Sequence, residues 1–199
     1  HLACADRSDS EMTRLQIETF LACADDCGVP LSIANSAGLL AWPASHADWN
    51  RPGIMLYGLS PLHDDGDSAA RLRVAMRFAA EVIAIRDVPV GGSVGYGARW
   101  TAERPSRIAT LAAGYADGYP RHAPDGTPTF VNGQVAPLVG TISMDMITID
   151  VTDHPGVAIG DLAELWGPNV AANDIAARSG TIGYELLTGV TRRVPRVYE

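Results

Sequence analysis

The first sixty residues alternate short apolar runs with amphipathic stretches. His1 to Asp6 (HLACAD) reads as the tail of a buried strand. Ser8-Asp9-Ser10-Glu11 has the S-x-x-E form of a capping box, and it predicts a helix through Leu15, Phe20 and Leu21 that stops near Gly28 and Pro30. Leu31 to Ala34 predicts a short strand, Asn35 to Gly38 a polar turn followed by a helical turn, and Ile54 to Leu56 a further short strand. Strand and helix in alternation, with polar and glycine residues after each strand, is the rhythm of a β/α barrel, whose ligand groups sit at the carboxyl ends of the strands. The pattern breaks at Pro61–Ala70, a small, acidic stretch, so the expected domains are residues 1–70 and 71–199. Val74 to Val88 is compatible with strand or helix. Beyond it, short strands are predicted at Arg107–Ala112, Thr129–Val131, Ala136–Val139, Met146–Val151 and Leu162–Leu165, with one helix at Ala171–Arg178. The expected fold class is α/β plus mostly β: the last units of a TIM-like barrel, then a β domain.

Composition narrows the function classes. With 199 residues and 47% hydrophobic content, the chain can bury a substantial core. No apolar run approaches the ~20 residues of a membrane span. A net charge of −8 argues against nucleic acid as a partner, since phosphate binders concentrate basic charge. Small molecules and protein subunits remain. All 15 basic residues are arginine, and no lysine occurs anywhere. Arginine cannot replace lysine in imine chemistry, because its guanidinium stays protonated. The three cysteines, Cys4, Cys23 and Cys27, lack the spacing of a disulfide framework and point to a reducing compartment. Cys23 and Cys27 would share a helix face, and are expected to be small buried apolar residues rather than half a metal site.

Candidate chemistry falls at a few turns. Asn35-Ser36 and Arg51-Pro52-Gly53-Ile54 offer a hydroxyl and backbone N–H donors, with a glycine that lets an anion come close. Ordinary turn chemistry is the competing reading. Tyr96 lies between Gly95 and Gly97, and Tyr115 follows Gly114. Tyrosine beside glycine suits presentation to a cleft, with an aromatic anchor as the competing reading. His1 and Arg51 are the groups best suited to polarise such a phenol. Ser143-Met144-Asp145-Met146 is a strand end whose backbone N–H groups could hold a carboxylate.

Taken together, seven segments in order resemble bacterial alanine racemases: HLACAD at 1–6, IANSAG at 33–38, RPGIMLYGLSP at 51–61, VGYGARW at 94–100, GYADGYPR at 114–121, APLVGTISMDMITID at 136–150 and GTIGYELLTGVTRRVPRVY at 180–198. The resemblance implies a fold-type III isomerase that uses pyridoxal 5'-phosphate (PLP), with an amino-terminal barrel and a carboxy-terminal β domain. It implies a cytoplasmic homodimer with active sites shared between subunits, making D-alanine for the cell wall. On that resemblance Ser36, Gly53, Ile54 and Tyr184 would hold the cofactor phosphate, and Arg51 would face the pyridine nitrogen. His1 would bridge Arg51 and Tyr96, the catalytic phenol. Met144, Asp145 and Tyr115 would serve the substrate carboxylate or the entrance, with Arg121 in the approach. The lysine that forms the second base would lie upstream of His1. Thr141 stands where many relatives carry arginine. A broad-specificity or serine racemase on the same scaffold, and a non-catalytic folding or dimerisation fragment, are the alternatives.

Overall fold

A computed structural model of the chain describes residues 1–63 and 71–198. It divides into two compact units, His1–Met76 and Arg77–Glu199. The expected boundary stretch, Pro61–Ala70, lies outside the described residues from position 64 onward.

In the first unit, helix α1 (Glu11–Ala24) is capped by Ser10, whose hydroxyl accepts the Thr13 N–H at 3.3 Å. The capping residue is therefore Ser10 rather than Ser8: the chain from Ala3 to Ser8 is still turning, and Glu11 is the first helical residue. Glu11 instead pairs, together with Glu18, with Arg14 on the solvent face. Ile17 faces inward against Leu2, Ala5, Ile33 and Ala37, with Phe20, Trp42 and Leu62 packed around them. Helix α2 (Ser36–Ala41) is capped by Asn35, whose Oδ1 accepts the Gly38 N–H at 2.9 Å.

None of the three predicted strands of this unit forms among the described residues. Leu31–Ala34 is extended, and its carbonyls accept the Trp49 and Arg51 N–H groups at 3.0 Å each, too few bonds for a ladder. Ile54–Tyr57 is a single 3₁₀ turn, entered at Gly53 and closed by Gly58 in the left-handed region (φ 81°). Ile54 alone of its apolar run is fully buried, so a half-buried strand face never existed there. Cys23 and Cys27 are exposed, contrary to expectation, because they lie on the outer side of α1 and just past its end. No group of His, Cys, Asp or Glu that could hold a metal ion occurs among the described residues.

The second unit is built from strands β1 (Phe78–Val88), β2 (Ser93–Val94), β3 (Trp100–Thr101), β4 (Ser106–Leu111), β5 (Pro128–Val131), β6 (Gln134–Pro137), β7 (Ile147–Asp150) and β8 (Leu162–Trp166), followed by helices α3 (Ala172–Arg178) and α4 (Gly183–Gly189). Six of the strands form one antiparallel sheet in the order β6-β5-β8-β1-β4-β7. β1 resolves the ambiguity of Val74–Val88 in favour of strand. Its first half pairs with β8 and its second half with β4, across a register shift at Val82–Ala84. β5 and β6 are joined by Asn132-Gly133, both at positive φ (49° and 84°), as a two-residue hairpin turn requires. A bridge between Leu138 and Ile149 joins the two ends of the sheet, so the strands wrap round a common interior. That interior holds Leu111, Leu138, Ile147, Ile149 and Leu165, all fully buried, whereas Ile108 lies on the other face of the sheet in a cluster with Val88, Val94, Ala102 and Val139. Closure of this kind removes exposed edges.

A buried carboxylate, Glu164, accompanies the core. Glu164 accepts the N–H groups of Asn169 (2.8 Å) and Val170 (3.0 Å) and the Asn169 side-chain amide (3.0 Å), which offsets its desolvation. Helix α4 has no counterpart among the expected elements. Its segment opens and ends on glycine, and only Gly183 and Leu186 are buried, so no apolar stripe marks it. Among the described residues no helix is long and apolar enough to cross a membrane.

Candidate active site

Two adjoining helix starts create the donor set of the first unit. Ser36 is the first residue of α2, and Gly53 caps the 3₁₀ turn that begins at Ile54. They are tied together: the Gly53 N–H donates to Ser36 Oγ at 2.7 Å. The Ile54 N–H has no acceptor among the described residues. At Gly53 a Cβ would meet nothing closer than Ser36 Oγ at 3.9 Å, so the glycine borders open space on the side of the hydroxyl. A hydroxyl and first-turn amides, whose N–H groups helix geometry leaves without intrahelical acceptors, form a donor set of the kind that a phosphate requires.

Arg51 lies two residues before this turn. Its guanidinium donates to Ser32 Oγ at 2.6 Å and to the Ile33 carbonyl at 3.1 Å, which uses only part of its donor fork. His1 approaches Asn35 instead, Nε2 to Nδ2 at 3.4 Å, and makes no hydrogen bond with Arg51 among the described residues. The His1–Arg51 bridge is therefore not formed in this structure.

In the second unit Tyr96 occupies a tight turn, Tyr96–Ala98, flanked by backbone of unusual geometry. Gly95, Gly97 and Ala98 all have positive φ (80°, 71° and 48°). The phenol is 72% exposed and borders a shallow cavity of about 400 Å³ shared with Thr110, Thr141, Ser143 and Met146. The other tyrosine candidate stands close by along the backbone. The Tyr115 and Ala116 N–H groups donate to the Ser143 and Met144 carbonyls at 3.1 and 3.0 Å. A Cβ on Gly114 would lie 2.3 Å from the Met144 carbonyl oxygen, so only glycine permits this approach. The 143–146 turn is itself closed by Ser143, whose hydroxyl accepts the Met146 N–H at 3.0 Å. The Met144 and Asp145 N–H groups have no acceptors among the described residues. The Asp145 carboxylate, by contrast, accepts from Arg193 at 2.6 Å.

The structure thus gathers Tyr96, Tyr115, Met144 and Asp145 around one turn of the second unit. Tyr115 and Arg121 also line a common cavity of about 400 Å³. Tyr184 is the second residue of α4 and is partly exposed. Next to Tyr115, Tyr119 is buried and stacks on Trp166 at 5.9 Å, and burial pushes its phenol well above the ordinary range.

Supporting residues escaped the sequence. Asp117 accepts the Gly114 N–H at 2.9 Å and lies 3.4 Å from Arg193, so it ties the Tyr115 turn to the segment after α4. Its G-x-x-D spacing was the one local signal available. Arg99 and Asp125 meet each other and Gly140 across separations of 15 to 41 residues, a relation with no local trace.

The last units of a β/α barrel, carrying amides for an anion, and an antiparallel β domain presenting an exposed tyrosine define a two-part α/β plus β class. Within it, the amino-terminal and carboxy-terminal domain patterns of alanine racemase match residues 1–61 and 75–198. The chain belongs to the alanine racemase family. It is 52% identical over 198 residues to the biosynthetic alanine racemase of Pseudomonas aeruginosa and 50% identical to alanine racemase of Stutzerimonas stutzeri; each match covers 100% of this chain and 55% of the relative. The crystal structure of the P. aeruginosa biosynthetic enzyme superposes with a TM-score of 0.93 at 51% identity, covering all of this chain and 56% of that one. Alanine racemase from Bartonella henselae, solved with covalently bound pyridoxal phosphate, superposes at 0.90 with 33% identity, covering 100% of this chain and 55% of that one. The chain spans about half the length of the relatives it matches.

Proposed function

We propose that these residues work as the carboxy-terminal part of a PLP-dependent alanine racemase, a homodimer that interconverts L- and D-alanine and supplies D-alanine for peptidoglycan. Agreement with the family over the whole of this chain, together with the Ser36–Gly53–Ile54 donor set at the motif positions, carries this reading. Free cysteines fit a cytoplasmic setting.

The donor chemistry of the first unit fits the cofactor. Ser36 Oγ and the Ile54 amide would take phosphate oxygens, with Tyr184 as a further donor. Arg51 is a permanent cation, so it would offer the pyridine nitrogen hydrogen bonds but no proton. When bound, PLP supplies the electron-withdrawing ring that makes an α-carbon C–H acidic.

The chain's own part is proton handling at one face of that carbon. Tyr96 Oη, as phenolate, takes the proton from L-alanine, and as phenol it returns a proton to the same face in the reverse direction. The phenol is exposed, as a group serving the site of a partner subunit must be. Unpaired Met144 and Asp145 amides offer donors for the substrate carboxylate. The opposite face needs a second base, and the lysine for it is not in this sequence.

The test uses the whole protein. Tyr96→Phe should lower racemisation of alanine about 10²–10⁴-fold, the range for a lost general base, and leave the bound-cofactor absorbance intact. Full activity in that variant overturns the assignment of Tyr96. Faster racemisation of serine than of alanine by the unsubstituted protein overturns the assignment of substrate. Ser36→Ala should weaken cofactor binding with no change in fold.

A further inference from the structure

The turn that carries Tyr96 contains a weakness that the structure corrects from outside the turn. Gly97 follows the tyrosine, and no atom lies within 4 Å of where its Cβ would be. With φ at 71° and no steric neighbour, Gly97 tolerates either orientation of the 96–97 peptide plane. A turn that is loose at this point lets the Tyr96 backbone shift, and the phenol it carries moves with it. One bond selects the orientation: the Thr141 hydroxyl donates to the Tyr96 carbonyl oxygen at 3.0 Å.

Thr141 is held in turn from two sides. Gly95 and Gly140 pack at backbone distance, a Cβ on Gly95 lying 2.6 Å from the Thr141 nitrogen and one on Gly140 lying 2.8 Å from the Val94 carbonyl oxygen. The peptide groups on either side of Gly140 are gripped at both ends by side chains. Asp125 Oδ1 accepts the Gly140 N–H at 2.7 Å, and Arg99 Nη2 donates to the Gly140 carbonyl at 2.9 Å. Arg99 and Asp125 also meet each other at 3.1 Å. Arg99 lies three residues after Tyr96, so the brace connects both ends of the tyrosine turn to the 140–141 segment.

We infer that Thr141, backed by the Arg99–Asp125 clamp, is a positioning residue for Tyr96: it tethers the Tyr96 carbonyl to the 140–141 segment and so holds in place the backbone from which the phenol projects. This deepens the proposed function and rests on Tyr96 being the base that faces L-alanine. Thr141 touches neither substrate nor cofactor in this role. Its contribution is a geometry held before the substrate arrives, and small misplacements of a proton-transfer group are costly in rate.

The experiment compares Thr141→Val, which keeps the shape and removes the hydroxyl, with Thr141→Ser, which keeps the hydroxyl, in the whole protein. Thr141→Val is expected to lower kcat about tenfold with KM changed less than about twofold, in line with a loss confined to the transition state. Its thermal midpoint should stay at the parent value. The isotope effect with α-deuterated L-alanine should rise, and that with α-deuterated D-alanine should not, because only proton removal by Tyr96 is slowed. Thr141→Ser should restore both kcat and the isotope effect. Asp125→Asn should shift them in the same direction as Thr141→Val, by less. Parent kcat and isotope effects in Thr141→Val overturn the proposal, as does equal loss in Val and Ser, or a loss that follows a lowered thermal midpoint. Tyr96→Phe run alongside separates the two levels. An active Tyr96→Phe protein removes the base assignment itself. An inactive Tyr96→Phe beside a fully active Thr141→Val removes only the positioning role.

Discussion

The two units solve the problem of backbone hydrogen bonding in opposite ways. In residues 77–198 six strands satisfy one another round a closed sheet, and the side chains inside it, such as Leu111, Ile147 and Ile149, are wholly shielded from water. In residues 1–63 the extended segment 31–34 finds two backbone partners, the core is a small cluster round Ile17 and Ile33, and Met12, Leu15, Leu21 and Trp49 remain exposed. Closure makes the second unit self-sufficient. The first relies on caps and single tethers such as Asn35 on Gly38 and Ser36 on Gly53, and these small polar devices also produce its anion donors. Chemistry follows the same division: amides at helix starts in one unit, a side chain on a braced turn in the other.

Separating the units gives the largest effect. Residues 77–199 alone should melt in one cooperative transition with a β-sheet circular dichroism spectrum, and residues 1–76 alone should not. A cooperative melt of 1–76 would break the contrast. Next in size is core truncation within the whole chain. Ile149→Ala should cost about 2–5 kcal/mol in urea unfolding, and Ile17→Ala should sit at the low end of that range, because its sparser surroundings can relax. Equal losses would mean the first core is as tightly packed as the second. Ser10→Ala should cost about 1 kcal/mol, read as faster amide exchange along α1, whereas Ser8→Ala should leave exchange unchanged.

The smallest effect is electrostatic. Asp161 accepts the Ala158 N–H and the Asn132 side-chain amide, which hold its carboxyl below the ordinary value of 3.8. A group depressed in the folded state adds stability above its unfolded pKa and loses it as pH falls through the folded value. Asp161→Asn should therefore lower the thermal midpoint slightly at neutral pH, and the deficit should vanish in strong acid. A deficit that persists there would assign the loss to packing.

Much of the second unit was legible in the chain. Ile147-Thr148-Ile149-Asp150 alternates buried and part-buried as a strand of period two should, and Leu162–Trp166 and Ala172–Arg178 fall within a residue of expectation. The first unit was harder to read because its signals are only a few residues long. Ile54-Met55-Leu56 has the composition of a strand, yet glycines at 53 and 58 turn it into a 3₁₀ turn. Two serines stand close enough to Glu11 to cap the helix, and only the path of the preceding turn selects Ser10.

The candidate site divides along the same line. Ser36, Gly53, Ile54, Tyr96, Tyr115 and Met144 were visible because each sits in a local motif, with glycine or a helix start beside it. By itself the sequence determined the family, the absence of lysine and the alternation that makes the β domain, since these depend on residue identity and short spacing. Closure of the sheet at Leu138–Ile149, the Arg99–Asp125 grip on Gly140 and the Thr141 hydroxyl bonded to the Tyr96 carbonyl were decided only in three dimensions. Each joins residues far apart along the chain, and hydrogen bonds of that kind depend on distances that no local pattern encodes.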